Sequence, residues 1–202
     1  MKLYYSPGAC SMAPHIVARE SGIPIDLVKV DIPNKKTADG SDFWKVNPKG
    51  YVPALELDNG KVLTEVGVIC QYLADQMPES KLVPAFGTIE RYEQMAALNF
   101  AATEIHKQIG ALFNPAMTAE MKEVQMGTIK HRLTSLEQML EGRQYIMGDN
   151  FSAADAYLFT VLNWTRIHKI DLAPWPRIKT YMALVGARPK VQETLKAEGL
   201  VK

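Results

Sequence analysis

Residues 2–22 read KLYYSPGACSMAPHIVARESG, and the fold is decided by how that stretch punctuates itself. Lys2–Tyr5 carry the apolar and aromatic residues of a short strand. Ser6-Pro7-Gly8 breaks it with turn residues. Ser11 and Pro14 suit the cap and first turn of a helix running through His15, Ile16, Val17 and Arg19 to a stop near Gly22. Cys10 falls where the backbone N–H groups of a helix start lack partners. That position favours an anion, so the thiol is expected to ionise more readily than a free cysteine.

Working outward, Ile25 to Val30 alternates as a strand, and 33–42 is polar and Lys-rich, an expected exposed loop. Phe43, Trp44 and Val46 suggest a short helical turn before Asn47-Pro48-Lys49-Gly50, which is turn vocabulary throughout. Ala54–Leu57 and Lys61–Leu63 flank Asp58-Asn59-Gly60, a hairpin signal. Thr64-Glu65 then opens a helix with Ile69, Tyr72 and Leu73 on one face, the Thr as cap. The order through residue 77 is βαβ followed by ββα. Residues 78–88, with two prolines and a glycine, read as a linker.

Beyond it the pattern turns helical. Met95, Leu98, Ala102, Ile105, Ile109 and Leu112 lay one apolar stripe along a single long helix. Thr118 with Glu120 opens a second helix, striped by Ile129, Leu133, Leu136 and Leu140. Ser152-Ala-Ala-Asp155 is a capping box with Asp in place of Glu. The following AYLFTVLNW is apolar all round, which places that helix in the middle of its domain. Pro174-Trp175-Pro176 and Arg188-Pro189 mark two further helix starts. The expected architecture is an α/β domain over 1–77 and an all-α domain over 89–202.

Net charge is +1 with acids and bases interspersed, so neither nucleic acid nor a membrane surface is an expected partner. Two cysteines make no disulfide scaffold. The chain opens on a strand rather than an apolar leader, and a reducing cytoplasm is the expected compartment.

Four features bear on chemistry. A dithiol oxidoreductase would place its second cysteine where this chain has Ala13, so Cys10 lacks a local resolving thiol. One thiol at a helix start suits a mixed disulfide with a small thiol, or a site beside a substrate's thiolate; the plain alternative is a small buried hydrophobe. Cys70, inside an amphipathic helix, is expected to pack. Val52-Pro53 precedes a strand, and a cis bond there would turn the Val52 backbone toward an extended peptide. The amides of Glu65 and Val66 open a helix and could receive a carboxylate while the Glu65 side chain holds an amine; equally, Glu65 could only complement the helix dipole. Asn99, Thr103 and His106 form a polar strip on the long helix, edged by Glu104 and Lys107. The four histidines are scattered, without metal-site spacing.

Taken together, MKLYYSPGACS (1–11), NPKGYVPAL (47–55), LTE (63–65), LNFAATEIHK (98–107), FSAADAYLF (151–159), ARPKVQ (187–192) and AEGL (197–200) resemble the glutathione transferase family, most closely its bacterial beta class, over essentially the whole chain. The resemblance implies a thioredoxin-like N-terminal domain, an all-α C-terminal domain, glutathione bound as co-substrate in the cleft between them with no metal, and a homodimer. Carried over by position, Cys10 would lie near the glutathione sulfur, and the Val52 backbone would precede a cis Pro53. Glu65 and the Val66 amide would hold the γ-glutamyl end, and Lys35 would approach the glycyl carboxylate. His106 and Lys107 would face the thiol, with Asn99, Thr103 and Glu104 on the same helix, partly toward the neighbouring subunit. Beta-class proteins usually carry a small residue after the Glu; Val66 is bulkier, which keeps a backbone contact but removes any side-chain hydroxyl.

The implied activity is conjugation of the glutathione thiolate to a small hydrophobic electrophile, in a detoxification role, with Phe113, Trp164 and Ile167 among the walls for the second substrate. Two alternatives remain. One is glutathione-dependent thiol–disulfide or peroxidase chemistry through a Cys10 mixed disulfide. The other is a non-catalytic module binding hydrophobic ligands or a protein on the same fold.

Overall fold

The alternation of Leu3 and Tyr4 sets the two faces of the central sheet, because successive strand residues point to opposite sides. The computed structural model describes all of residues 1–202, and its contacts group into two compact units, Met1–Val83 with Arg188–Lys202, and Pro84–Ala187. In the first unit β1 (Lys2–Tyr5) is central. It pairs parallel with β2 (Asp26–Asp31), which carries β3 (Lys36–Thr37) antiparallel on its outer edge. On the other side β1 pairs antiparallel with β4 (Ala54–Glu56), and β4 with β5 (Val62–Thr64). Leu3 sits opposite Leu27 on one side and Leu55 on the other, and Leu3 and Leu55 are fully buried. Burying each such side chain stabilises the fold by roughly 1.5–3 kcal/mol. Tyr4 joins a separate cluster with Val30, Phe43, Val52 and Ala54.

The helices α1 (Met12–Ser21) and α2 (Val66–Asp75) pack on each other. Gly22 ends α1 at φ 76°, the left-handed geometry that glycine supplies without a Cβ clash. Two local expectations need correction here. The 33–42 loop contains β3, held because Val30 pairs with Thr37 and Asp31 with Lys36. Thr64 does not cap α2: it ends β5, and Glu65 occupies the cap position. Cys70 is fully buried, as its helical position predicts.

The second unit holds α3 (Ile89–Phe100), α4 (Lys107–Gly110), α5 (Ala119–Met139), α6 (Ala153–Leu162), α7 (Trp164–Ile167) and α8 (Pro176–Gly186). The single long helix expected through residue 112 is not continuous. Residues Ala101–His106 form a π-turn between α3 and α4, and Ala111–Phe113 tighten into a 3₁₀ turn. The wider π-turn holds an extra residue, so an even 3.6-residue stripe does not survive it. Gln94, Ala97, Leu98, Ala101, Ile105 and Ile109 are buried, whereas Met95 is 40% exposed. Thr118 caps α5, whose Ile129, Leu133 and Leu136 are buried together with Leu140 after it, and every residue of α6 is buried.

The sequence assigned 89–202 to one helical domain. The contacts instead group the last helix, α9 (Pro189–Ala197), with the first unit, where it lies against α1. Its apolar residues do not distinguish the two destinations; its polar ones do. Arg188 grips Glu20 through Nε at 2.7 Å and Nη2 at 2.8 Å. His15 Nδ1 lies 2.9 Å from buried Glu198, and Arg19 Nε donates to His15 Nε2 at 3.0 Å. That donor assigns the ring proton to Nδ1, so a neutral His15 donates to the Glu198 carboxylate.

Candidate functional site

The site in the first unit is built from three breaks in the sheet-and-helix pattern. The first is the turn after β1. Ala9 N–H donates to the Ser6 carbonyl at 3.0 Å, and Gly8, at φ 70°, donates its N–H to Glu198 Oε2 at 2.8 Å. Ser11 stands at the α1 cap position, yet its hydroxyl turns back to accept from Ser6 N–H at 3.1 Å and to donate to the Ser6 carbonyl at 3.2 Å. No side chain caps α1. Cys10, at the end of this turn, donates its thiol to the Val52 carbonyl at 3.2 Å.

The second break is the loop 47–53. Buried Asn47 shapes it, donating to the Tyr51 carbonyl at 2.7 Å and accepting from Lys49 N–H at 3.1 Å. Gly50 is required: at φ 67° a Cβ there would lie 2.6 Å from the Trp44 ring. The Val52–Pro53 peptide is cis, as the resemblance implied. Lys35 does not stand free for a carboxylate. Its Nζ donates to the Gly50 carbonyl at 2.7 Å and lies 5.7 Å and 5.5 Å from the Trp44 and Tyr51 ring centres.

The third break is the entry to α2. Glu65 adopts φ 72°, ψ 123°, a conformation costly for a residue with a Cβ, and its side chain makes no cap bond. It meets Lys49 instead, Nζ to Oε1 at 2.7 Å, with Thr64 Oγ1 at 3.2 Å from the same ammonium. Val66 follows, buried. Sequence reasoning missed Lys49, which lies inside a turn motif and carries no helical or strand periodicity to single it out.

The electrostatics correct the expectation for Cys10. Burial pushes its thiol up to about 12, against the downward pull of the Cys10 and Ser11 N–H groups, and the Glu65 carboxylate pushes in the same direction as burial. A helix start alone lowers a thiol's pKa only where solvent or a cation shares the charge. Neither outweighs desolvation here. Cys10 is therefore a neutral hydrogen-bond donor.

In the second unit the π-turn carries the candidate strip. His106 Nδ1 lies 2.7 Å from the Tyr157 hydroxyl, and its ring meets Trp164 edge-on at 5.0 Å. Phe113 continues the aromatic cluster, 5.4 Å from Trp164 and 4.4 Å from His168. Thr103 donates to the Asn99 carbonyl at 3.1 Å, and Glu104 pairs with Arg132 at 2.7 Å. Asn99, Thr103 and Lys107 are exposed. Ile167, expected beside Trp164, is 61% exposed.

The model of the glutathione S-transferase N-terminal domain matches residues 3–81, and that of the glutathione S-transferase C-terminal domain matches residues 100–189. Glutathione S-transferase GstA of Escherichia coli O157:H7 is 44% identical over 200 residues, covering 99% of this chain and all of that one. Among solved structures, a sphingomonad glutathione S-transferase complexed with glutathione is 46% identical at TM-score 0.95 over the full length of both chains. A bacterial beta class glutathione S-transferase from Sphingomonas chungbukensis is 45% identical at TM-score 0.96, again over both full lengths. The thioredoxin-like sheet with its cysteine at a helix start, followed by a helical unit, thus belongs to a member of the glutathione S-transferase family, with its likeness to the bacterial beta class.

Proposed function

We propose that this glutathione S-transferase binds glutathione at the three breaks of the first unit and conjugates its sulfur to a small hydrophobic electrophile. The observation that carries the reading is the grouping around Cys10: a neutral thiol donor 3.2 Å from the Val52 carbonyl, with Glu65 close enough to act on it electrostatically. A tripeptide with two carboxylates, one amine and an extended backbone needs this mix of a backbone carbonyl, open helix amides and an acid. Glu65 takes the γ-glutamyl ammonium, the Val66 amide its carboxylate, and the Val52 backbone the cysteinyl unit. Lys35 takes the glycyl carboxylate on exchanging the Gly50 carbonyl for it.

Cys10 acts here as a donor to the glutathione thiolate, not as a nucleophile. Glutathione gives up its thiol proton to solvent. The thiolate then attacks the electrophilic carbon, a carbon–sulfur bond forms, and the leaving group departs with its bonding electron pair. His106, with Lys107, Asn99, Thr103 and Glu104, is proposed to serve the thiol and its approach, and Phe113 and Trp164 to provide apolar wall for the second substrate. The neutral thiol disfavours the mixed-disulfide alternative, because exchange chemistry needs a thiolate. A cytoplasmic homodimer completes the reading, supported by exposed Phe86, Ile89, Tyr92 and Met95 along and just before α3.

The test is calorimetric titration of reduced glutathione into wild type and Glu65→Ala, with the mass of the same samples measured by sedimentation. Micromolar-to-millimolar affinity that falls at least about tenfold in the variant is expected, since a charge-assisted contact contributes on that scale. A mass of twice the 22.5 kDa chain is expected with it. Equal affinity for both proteins would overturn the Glu65 assignment. Absence of binding to wild type would overturn the function, and a monomeric mass the homodimer.

A further inference from the structure

Lys49 has no part in the family reading set out above, yet its ammonium lies 2.7 Å from Glu65 Oε1 and 3.2 Å from Thr64 Oγ1. The two charged side chains are 56% and 67% exposed. An ion pair so open to solvent adds little to stability, so it does not explain why both residues are held there. They are held firmly. Lys49 N–H is fixed by the Asn47 side chain at 3.1 Å and followed by Gly50 in the left-handed region. Glu65 keeps a strained backbone without capping the helix it begins. Strain of that kind persists where the surroundings impose it, and it clusters at ligand clamps.

We infer that Lys49 and Glu65 together read the amino-acid end of glutathione, Glu65 taking the α-ammonium and Lys49 sharing the α-carboxylate with the Val66 amide. This rests on the proposed placement of the γ-glutamyl end at Glu65. A γ-glutamyl group carries one cation and one anion on the same carbon. Its entry replaces the Lys49–Glu65 pair with two pairs of the same sign pattern, so the cluster stays neutral throughout. Without Lys49 the Glu65 carboxylate would face the incoming α-carboxylate uncompensated, a like-charge contact that disfavours binding. The existing pair also keeps Glu65 aligned before the ligand arrives, and its exposure makes the exchange cheap in desolvation.

The test uses three S-methylated tripeptides in calorimetry: S-methylglutathione, the glutaryl analogue lacking the α-ammonium, and the 4-aminobutyryl analogue lacking the α-carboxylate. Wild type should bind each analogue about tenfold or more weakly than S-methylglutathione, the scale of one charge-assisted hydrogen bond. Lys49→Met should lose most of its discrimination against the 4-aminobutyryl analogue, the remainder belonging to the Val66 amide, while still rejecting the glutaryl one. Glu65→Gln should reverse that pattern, and Lys49→Arg should restore discrimination against the missing carboxylate. A merely structural Lys49 would weaken all three ligands together. Full discrimination for the carboxylate in Lys49→Met overturns the inference. Failure of wild type to bind S-methylglutathione overturns the proposed function with it, and the wild-type titration distinguishes the two.

Discussion

In the second unit each helix of ten or more residues begins under a side-chain acceptor. Thr88 accepts from Arg91 N–H at the head of α3, and Thr118 from Met121 N–H at α5. Asp155 accepts from Ser152 N–H at α6, and the Glu137 carboxylate from Arg177 and Ile178 N–H at α8. In the first unit α1 and α2 begin with none, although Ser11 and Glu65 stand at their cap positions. Both side chains are turned to other work. A helix start leaves several N–H groups without intrahelical partners, and they must be met by something. Where the start is structural, the chain meets them itself. At α1 backbone carbonyls meet them, Met12 N–H donating to Ala9 at 3.0 Å and Ala13 N–H to Cys10 at 3.2 Å. At α2, which begins on a strained acid beside an exposed lysine, the arrangement suits an outside anion.

Breaking a closed start should cost most. Asp155 is fully buried and accepts from Ile146 N–H at 2.8 Å, from Ser152 N–H at 2.8 Å and hydroxyl at 2.6 Å, and from the Tyr181 hydroxyl at 3.0 Å. Asp155→Ala leaves those donors unsatisfied in the core, and a loss of about 3–5 kcal/mol in urea unfolding is expected. A loss under 1 kcal/mol would mean that α6 does not depend on its cap, and the contrast between the units would lose its structural half.

Cys10 sharpens the open half. With its thiol pushed up to about 12, a free cysteine near 9 would hold about a thousandfold more thiolate at neutral pH. Labelling by a small alkylating reagent, with Cys10→Ala as blank, should therefore be slow at pH 7 and rise about tenfold per pH unit through pH 9. A plateau near pH 7 would restore an ionised Cys10 and with it the mixed-disulfide reading. The folded chain holds the Cys10 proton to higher pH than the unfolded one, so the contribution is complete below about pH 9 and is lost as pH rises toward 12.

That residue also marks where the sequence stops being legible. The strand, turn and helix around Cys10, the Asp58–Gly60 hairpin turn and the Asp155 box were readable because each is a local preference of the residues involved. The state of the thiol was not, because it depends on burial by segments remote in the chain, Val52 among them. The π-turn was hidden for a related reason: AATEIH has unremarkable helix-forming residues, and only the registry of buried side chains on either side shows the extra one. The destination of α9 rests on Glu198 and Arg188 finding Gly8, His15 and Glu20, pairings with no trace in periodicity.

The smallest expected effect belongs to Ser11, and it separates the two meanings of an uncapped helix. Its hydroxyl is buried and exchanges two hydrogen bonds with the Ser6 backbone, so it braces the turn rather than the helix. Ser11→Ala should cost about 1–2 kcal/mol of stability, the penalty of an unmet buried donor. Glutathione affinity should stay within about twofold, because no ligand contact is assigned to that hydroxyl. If the affinity instead falls as far as in Glu65→Ala, the Ser11 hydroxyl is part of the ligand site, and the start of α1 recruits its anion through a side chain. If stability is untouched, the turn is held by its backbone and by Glu198 alone. Only loss of stability with affinity retained leaves Ser11 as the structure draws it, a brace of the turn whose hydroxyl faces away from the ligand.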